Sequence, residues 1–421
     1  MTEPQIPDAE AKTKKMSHDE SLPYDFDYVL RYCPDGTVFE KDRLVEIERK
    51  VNEEYEKWEK NKAEKGKVIL TSITGDKMEV VFDQDPEKTY VWEFHNLGQL
   101  AERPYRPSER QLQRTNNPER YRKEAELGYR AHYHVMWPVA QQNANVREPE
   151  VDLRKLLARV KTWKEQWKNS EQCKQLTSHL EKNAKNMPRV ERVVCFGAGS
   201  VGSYLQGNRD SKPWLDEHER SYFQHAATCT IAEVLSRAQA DDENTPNKID
   251  ILAQDPRYTK SDIVVLQHMD PPINITQDKY ILGFEAFKHI DSSTFVVTIG
   301  EEAPVRDMAI QLAGDDGPAG MFCNTIDRNL QKEWTGKLAT KDDVIPLGHQ
   351  FQTASMWDYK LKCLALDIKD EKWFGTRKIY EKMVVKEFVE RTELLLRKVG
   401  GTAESLSLVQ DVGSLFDGTS H

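Results

Sequence analysis

The sequence predicts an α/β protein with a Rossmann-like, doubly wound and mainly parallel sheet. Helical and small α+β elaborations are expected on its N-terminal side. Three observations carry this. The apolar run Arg192-Val193-Val194-Cys195-Phe196 flows straight into Gly197-Ala198-Gly199-Ser200-Val201-Gly202, a G-x-G-x-x-G turn. A second strand-like run, 249–253, ends in Gln254-Asp255-Pro256. Further strand-like runs at 294–300 and 320–324 alternate with helical stretches, the order of a parallel sheet covered by helices.

Each element follows from local pattern. Residues 1–22 have almost nothing to bury and are expected to be a disordered tail. They hold no apolar segment of the kind that makes a secretory signal. Residues 23–148 are expected to form an α+β elaboration. Within it, Thr37 leads into a helix from about 41 to 64, with Leu44, Ile47, Val51, Tyr55 and Trp58 at spacings of three and four. A hairpin follows, 68–73 and 78–82 around a turn at 74–77, with a third strand at 90–94. Residues 101–148 read as a long connection with a short helix near 117–127.

The domain of residues 149–330 opens with an amphipathic helix at 151–168. Leu153, Leu156, Leu157, Val160, Trp163 and Trp167 share one face, and Arg154, Lys155, Arg159, Lys161 and Lys164 cover the rest. After the glycines, Ser203 to Asp216 is polar, and a helix runs on to about Ala240. A loop at 241–247, the strand at 249–253 and a short helix at 261–267 come next. The run 294–300 is the richest in β-branched residues. Pro304 suits the first turn of a helix reaching Leu312, and 320–324 is a further strand. Residues 331–403 are expected to be a helical extension. Its helix at 377–398 carries Tyr380, Val384, Phe388 and Leu395, and Gly400-Gly401 caps it. Residues 404–421 read as a flexible tail.

Composition narrows the function. A chain of 421 residues suggests two domains or one large decorated domain. The net charge of −10 argues against nucleic-acid or membrane-surface partners, which favour basic proteins. No apolar run approaches the roughly 18–20 residues that span a bilayer. The six cysteines form no C-x-x-C pair, so free thiols in a reducing compartment, cytoplasm or nucleus, are expected.

Glycines suit the 197–202 turn because they reach backbone angles closed to other residues. They also let the main chain approach a phosphate or carboxylate closely. Asp255 stands where an acidic residue accepts hydrogen bonds from ribose hydroxyls. It comes 53 residues after Gly202, against about 20 in a dinucleotide fingerprint. The turn therefore suits a methyltransferase-like pocket for S-adenosylmethionine as well as one for NAD(P), or it simply closes a strand onto a helix.

Other residues offer less. His132 and His134 have strand spacing for two metal ligands but no third ligand nearby, so no metal is expected. His225 reads as a helix histidine. Glu301 and Glu302 follow a strand end, where such folds bind ligands, yet equally suit a helix N-terminus. No nucleophile elbow, P-loop or kinase signature is present.

Taken as a set, Cys195-Phe196-Gly197-Ala198-Gly199-Ser200, Gln224-His225-Ala226 and Gln254-Asp255-Pro256-Arg257-Tyr258, followed by Asp262 and Leu266, resemble the sensitivity-to-red-light-reduced-like (SRR-like) domain proteins. The resemblance covers about residues 150–330. It implies a Rossmann-like domain in a protein of light, circadian or related regulation, here with fungal-type terminal extensions. The candidate cofactor-binding residues are Gly197, Gly199, Ser200, Gly202, Gln224, Asp255 and Tyr258. The family's Met-Pro-His-Cys motif is replaced by Thr298-Ile299-Gly300-Glu301, and its Gly-Asn-Ser by Cys323-Asn324-Thr325. If that His and Cys carry an activity in relatives, this chain lacks it or performs another. The expected function is an intracellular regulatory protein that binds a nucleotide-like small molecule. A methyltransferase, a nicotinamide-dependent oxidoreductase and a scaffold with a vestigial pocket are the rivals.

Overall fold

In a computed structural model of the chain, the structure describes residues 29, 31–33, 36–61, 65–82, 88–95, 100, 134–142, 152–202, 212–241, 245–276, 278, 280–300, 303–326, 353–369, 376–381, 384–389 and 392–399. The expected tails, the short helix at 117–127, His132, the polar segment 203–211, Glu301, Glu302, Gly400 and Gly401 lie outside these residues.

The described chain begins with helix α1 (Lys41–Lys60), then strands β1 (Gly66–Thr71), β2 (Lys77–Phe82), β3 (Lys88–Phe94) and β4 (Met136–Gln142). Helices α2 (Leu153–Asn169) and α3 (Glu171–Asn183) lead to β5 (Arg192–Phe196). Next come α4 (Lys212–Ala238), β6 (Asp250–Gln254), α5 (Lys260–Gln267), β7 (Asn274–Ile275) and β8 (Thr294–Thr298). The remainder is α6 (Val305–Leu312), β9 (Gly320–Asn324), α7 (Ala354–Lys362) and strands β10 (Cys363–Ile368), β11 (Thr376–Glu381), β12 (Val384–Val389) and β13 (Thr392–Arg397).

Seven strands form one sheet in the order β10-β13-β9-β8-β5-β6-β7. From β9 to β7 the strands are parallel; β13 alone runs antiparallel to its neighbours β9 and β10. Numbered in chain order from the β7 edge, the sheet reads 3-2-1-4-5-7-6. Successive strand residues point to opposite faces. Val194, Phe196, Val296, Met321, Cys323 and Leu395 therefore enter one core. Val193, Cys195, Phe295, Val297, Phe322, Leu394 and Leu396 enter the other. Near-continuous apolar runs are what strands covered on both faces require.

Helices cover the second face. Trp163 and Trp167 of α2, Leu176 and Leu180 of α3, Tyr222 and Phe223 of α4 and Leu266 of α5 join its core. Caps fix where these helices start. The Asp152 carboxylate accepts the backbone N–H groups of Arg154 and Lys155, and Ser170 Oγ accepts that of Cys173. The first face is shared between α6, α7 and the N-terminal elaboration. Leu44, Val51 and Trp58 of α1 lie in one core with Phe196 and Phe287. Polar ties seat the same region. Gln311 Oε1 accepts the backbone N–H groups of Val38 (2.8 Å) and Phe39 (2.9 Å). The ammonium of Lys288 reaches Glu48 Oε1 at 3.2 Å.

Several expectations change. Residues 377–398 form no helix: they make β11, β12 and β13. The reason is burial. Leu394, Leu395 and Leu396 are all enclosed, and Thr392–Arg397 fills the gap between β9 and β10, so pairing overrides the helical propensity of the segment. The long connection expected over 101–148 contains β4, which pairs with β3 rather than leaving it beside the β1–β2 hairpin. Helix α1 ends at Lys60, short of residue 64, and β8 ends at Thr298. Helix α3 was not foreseen in the sequence.

Candidate functional site

β5 and β6 pair in parallel with Phe196 opposite Gln254, so the segments that follow both strands leave from the same edge of the sheet. Gly197 donates its N–H to the Gln254 carbonyl at 3.1 Å. Gly197 has φ +64° and Gly199 φ +76°, a region that disfavours other residues. A Cβ on Gly199 would also lie 2.7 Å from Ser221 Oγ on α4. Gly202 is needed for another reason: its Cβ would fall 2.6 Å from Ser261 Cβ, where α5 crosses the turn. The space beside Gly199, expected to admit a ligand, is thus taken by Ser221.

Two carboxylates organise the turn. Asp255 Oδ2 accepts the N–H of Gly199 at 2.8 Å, and its Oδ1 accepts that of Arg257 at 2.8 Å. Burial pushes the Asp255 carboxyl above the usual range, against the pull of these two N–H donors. Asp262 is fully buried. Its Oδ1 accepts the N–H groups of Val201 (2.6 Å) and Gly202 (2.8 Å). Its Oδ2 accepts the hydroxyls of Ser200 (2.6 Å) and Thr259 (2.8 Å) and the N–H of Thr259 (2.7 Å). In the sequence, Asp262 stands in the resemblance motif with no assigned role. The signal was there: Thr259 and Asp262 form a capping box that opens α5.

Tyr258 and His225 form a second pair. His225 is wholly buried, with Nδ1 2.7 Å from the Ser221 carbonyl and Nε2 2.7 Å from the Tyr258 hydroxyl. A carbonyl can only accept, so the proton sits on Nδ1 and Tyr258 donates to Nε2. Burial lowers His225 to about 4 and raises Tyr258 well above its usual value. His225 is therefore a neutral acceptor. Gln224, beside it, is buried on α4, and its carbonyl accepts the Thr228 hydroxyl at 2.9 Å. Cys195, on the strand below, is pushed up to about 12 by burial, which removes its nucleophilic form at neutral pH.

The structure thus gathers Gly197, Gly199, Ser200, Gly202, Asp255 and Tyr258 at the carboxyl ends of β5 and β6. At the ends of β8 and β9, Gly300 donates its N–H to Asn324 Oδ1 at 2.6 Å, and Arg306 Nη1 reaches the Asn324 carbonyl at 3.2 Å. Thr298 Oγ1 is buried there with no hydrogen-bond partner among the described residues. His134 is buried too, lowered to about 4 chiefly by that burial. Glu48, Asp278 and Glu285 approach one another as cation ligands would. The Lys288 ammonium pairs with both Glu48 and Glu285, so a protein cation already serves this cluster.

A family model for the SRR1 domain matches residues 173–381. The match begins in α3 and runs through β11, taking in six of the seven strands of the sheet. No curated protein and no solved structure matches the chain. The glycine turn, Asp255 and Asp262 all lie inside the matched segment, so residues 173–381 make up an SRR1-like domain.

Proposed function

We propose that this chain is a regulatory protein whose Rossmann-like, doubly wound domain binds a nucleotide-like small molecule over the carboxyl ends of β5, β6 and β8. The observation that carries the reading is the reversal of strand order at β5: β6 and β7 lie on one side of it and β8 and β9 on the other. In open α/β sheets, ligands bind in the crevice outside the carboxyl ends of the strands at such a point. The glycine turn and Asp255 stand at that edge. The regulatory role is supported by the SRR1 domain.

A methyltransferase is the second reading. The order 3-2-1-4-5-7-6, with the seventh strand antiparallel, is compatible with that reading. That agreement concerns the fold, and chemistry has to come from the site. His225 has its Nε2 taken by the Tyr258 hydroxyl and the Cys195 thiol is raised by burial, so neither is poised as a base or nucleophile.

A thermal-shift screen against NAD(H), NADP(H), S-adenosylmethionine, ATP and haem tests the reading. A ligand at 100 times its Kd stabilises the fold by about 2.7 kcal/mol. A shift with one of them is expected. No shift with any of them would favour a scaffold with a vestigial pocket.

A further inference from the structure

The glycine turn spends its backbone donors on the chain itself. Loops of this type hold phosphates by aiming successive N–H groups at them. Here Gly199 donates to Asp255, and Val201 and Gly202 donate to Asp262. The Ser200 hydroxyl points to Asp262 as well. A carboxylate has about four lone-pair sites, and those of Asp262 are filled by the turn and Thr259. Asp262 is therefore a built-in anion, seated where an external one would be held.

A pyrophosphate brought to this turn would meet two carboxylates and find the N–H groups of Gly199, Val201 and Gly202 taken. Displacing Asp262 would leave a fully buried carboxylate without partners, which is strongly unfavourable. Asp255 differs from Asp262. It is half-buried, and each of its oxygens accepts one backbone N–H, which leaves lone pairs for hydroxyl donors.

We infer that the crevice beside the turn takes an unphosphorylated nucleoside compound of the S-adenosylmethionine kind and rejects dinucleotides, because Asp262 and Asp255 take the N–H groups of Gly199, Val201 and Gly202 and the Ser200 hydroxyl. Asp255 accepts ribose hydroxyls, and Asp262 sets the charge preference. This rests on the reading of the sheet's carboxyl edge as a ligand site.

Calorimetric titration of the full-length protein with adenosine, S-adenosylhomocysteine, AMP, ADP and NAD+ at one ionic strength tests the inference. Adenosine and S-adenosylhomocysteine should bind. ADP and NAD+ should bind at least about tenfold more weakly than adenosine, since like charges oppose across the contact. ADP or NAD+ binding more tightly than adenosine would overturn the inference and leave the ligand site standing. Binding by none of the five would remove both.

Discussion

Asp262 Oδ1 accepts the backbone N–H of Gly202 at 2.8 Å, joining the glycine turn after β5 to the first turn of the helix after β6. Through this contact two crossover connections are locked together at one edge of the sheet. Asp262→Ala removes the acceptor for the donors of Ser200, Val201, Gly202 and Thr259. Each buried donor left unsatisfied costs about 1–3 kcal/mol, so the variant should lose at least about 3 kcal/mol in urea unfolding. Formate or inorganic phosphate should restore part of that loss. A loss under about 1 kcal/mol would show that the turn does not depend on this carboxylate.

Gly202→Ala tests the close approach of α5. The added Cβ would lie 2.6 Å from Ser261 Cβ, and overpacking of this kind costs about 1–3 kcal/mol. Ser261→Gly removes the opposing atom, so the double variant should recover most of the loss. Additive losses in a double-mutant cycle would contradict the steric account.

His225 makes the fold sensitive to acid. Its folded value is lowered from the usual 6.5 to about 4 by burial. Between those values the unfolded chain binds the proton and the folded chain does not, so this contribution falls as pH drops from about 6.5 to about 4. At 1.36 kcal/mol per pH unit, the loss approaches about 3 kcal/mol. Half-buried Asp255 and buried Asp307, both raised by desolvation, act in the opposite sense. The difference between wild type and His225→Gln isolates the histidine: the variant should lack the extra slope in that window. Parallel pH profiles for the two proteins would assign the slope elsewhere.

The N-terminal elaboration shares its core with the sheet. Leu44 is fully buried in the cluster that holds Val194, Phe196 and Phe287. Leu44→Ala should cost about 2–4 kcal/mol and shift one cooperative transition of the whole protein. Separate melting of the elaboration, with the sheet unmoved in calorimetry, would show two independent units.

Much of the central sheet was legible because its strands carry unmistakable signals. Val193–Phe196 and Thr294–Thr298 are apolar runs too short for helices, and each meets a turn. The C-terminal strands were not legible. Residues 377–398 are rich in Lys, Glu and Leu, which favour helices, and apolar residues happen to recur at helical spacing. Only the slot between β9 and β10 makes Thr392–Arg397 a strand, and that slot is a tertiary fact. The run Leu394-Leu395-Leu396 was the available hint. In the site, the turn and Asp255 could be read from motif order. The partner of the turn could not, because Asp262 looks like a simple helix cap until the fold brings Gly202 beside it.

The central claim is that a small molecule binds at the carboxyl edge of β5 and β6, beside a turn already filled by the chain's own carboxylates. Amide spectra of protein labelled with 15N-glycine, titrated with S-adenosylhomocysteine, test it most directly. The amides of Gly197 and Gly199 should move in a saturable way, while Gly75, in the β1–β2 turn, stays still. Unmoved Gly197 and Gly199 at saturating ligand, or the largest change at Gly75, would contradict the account.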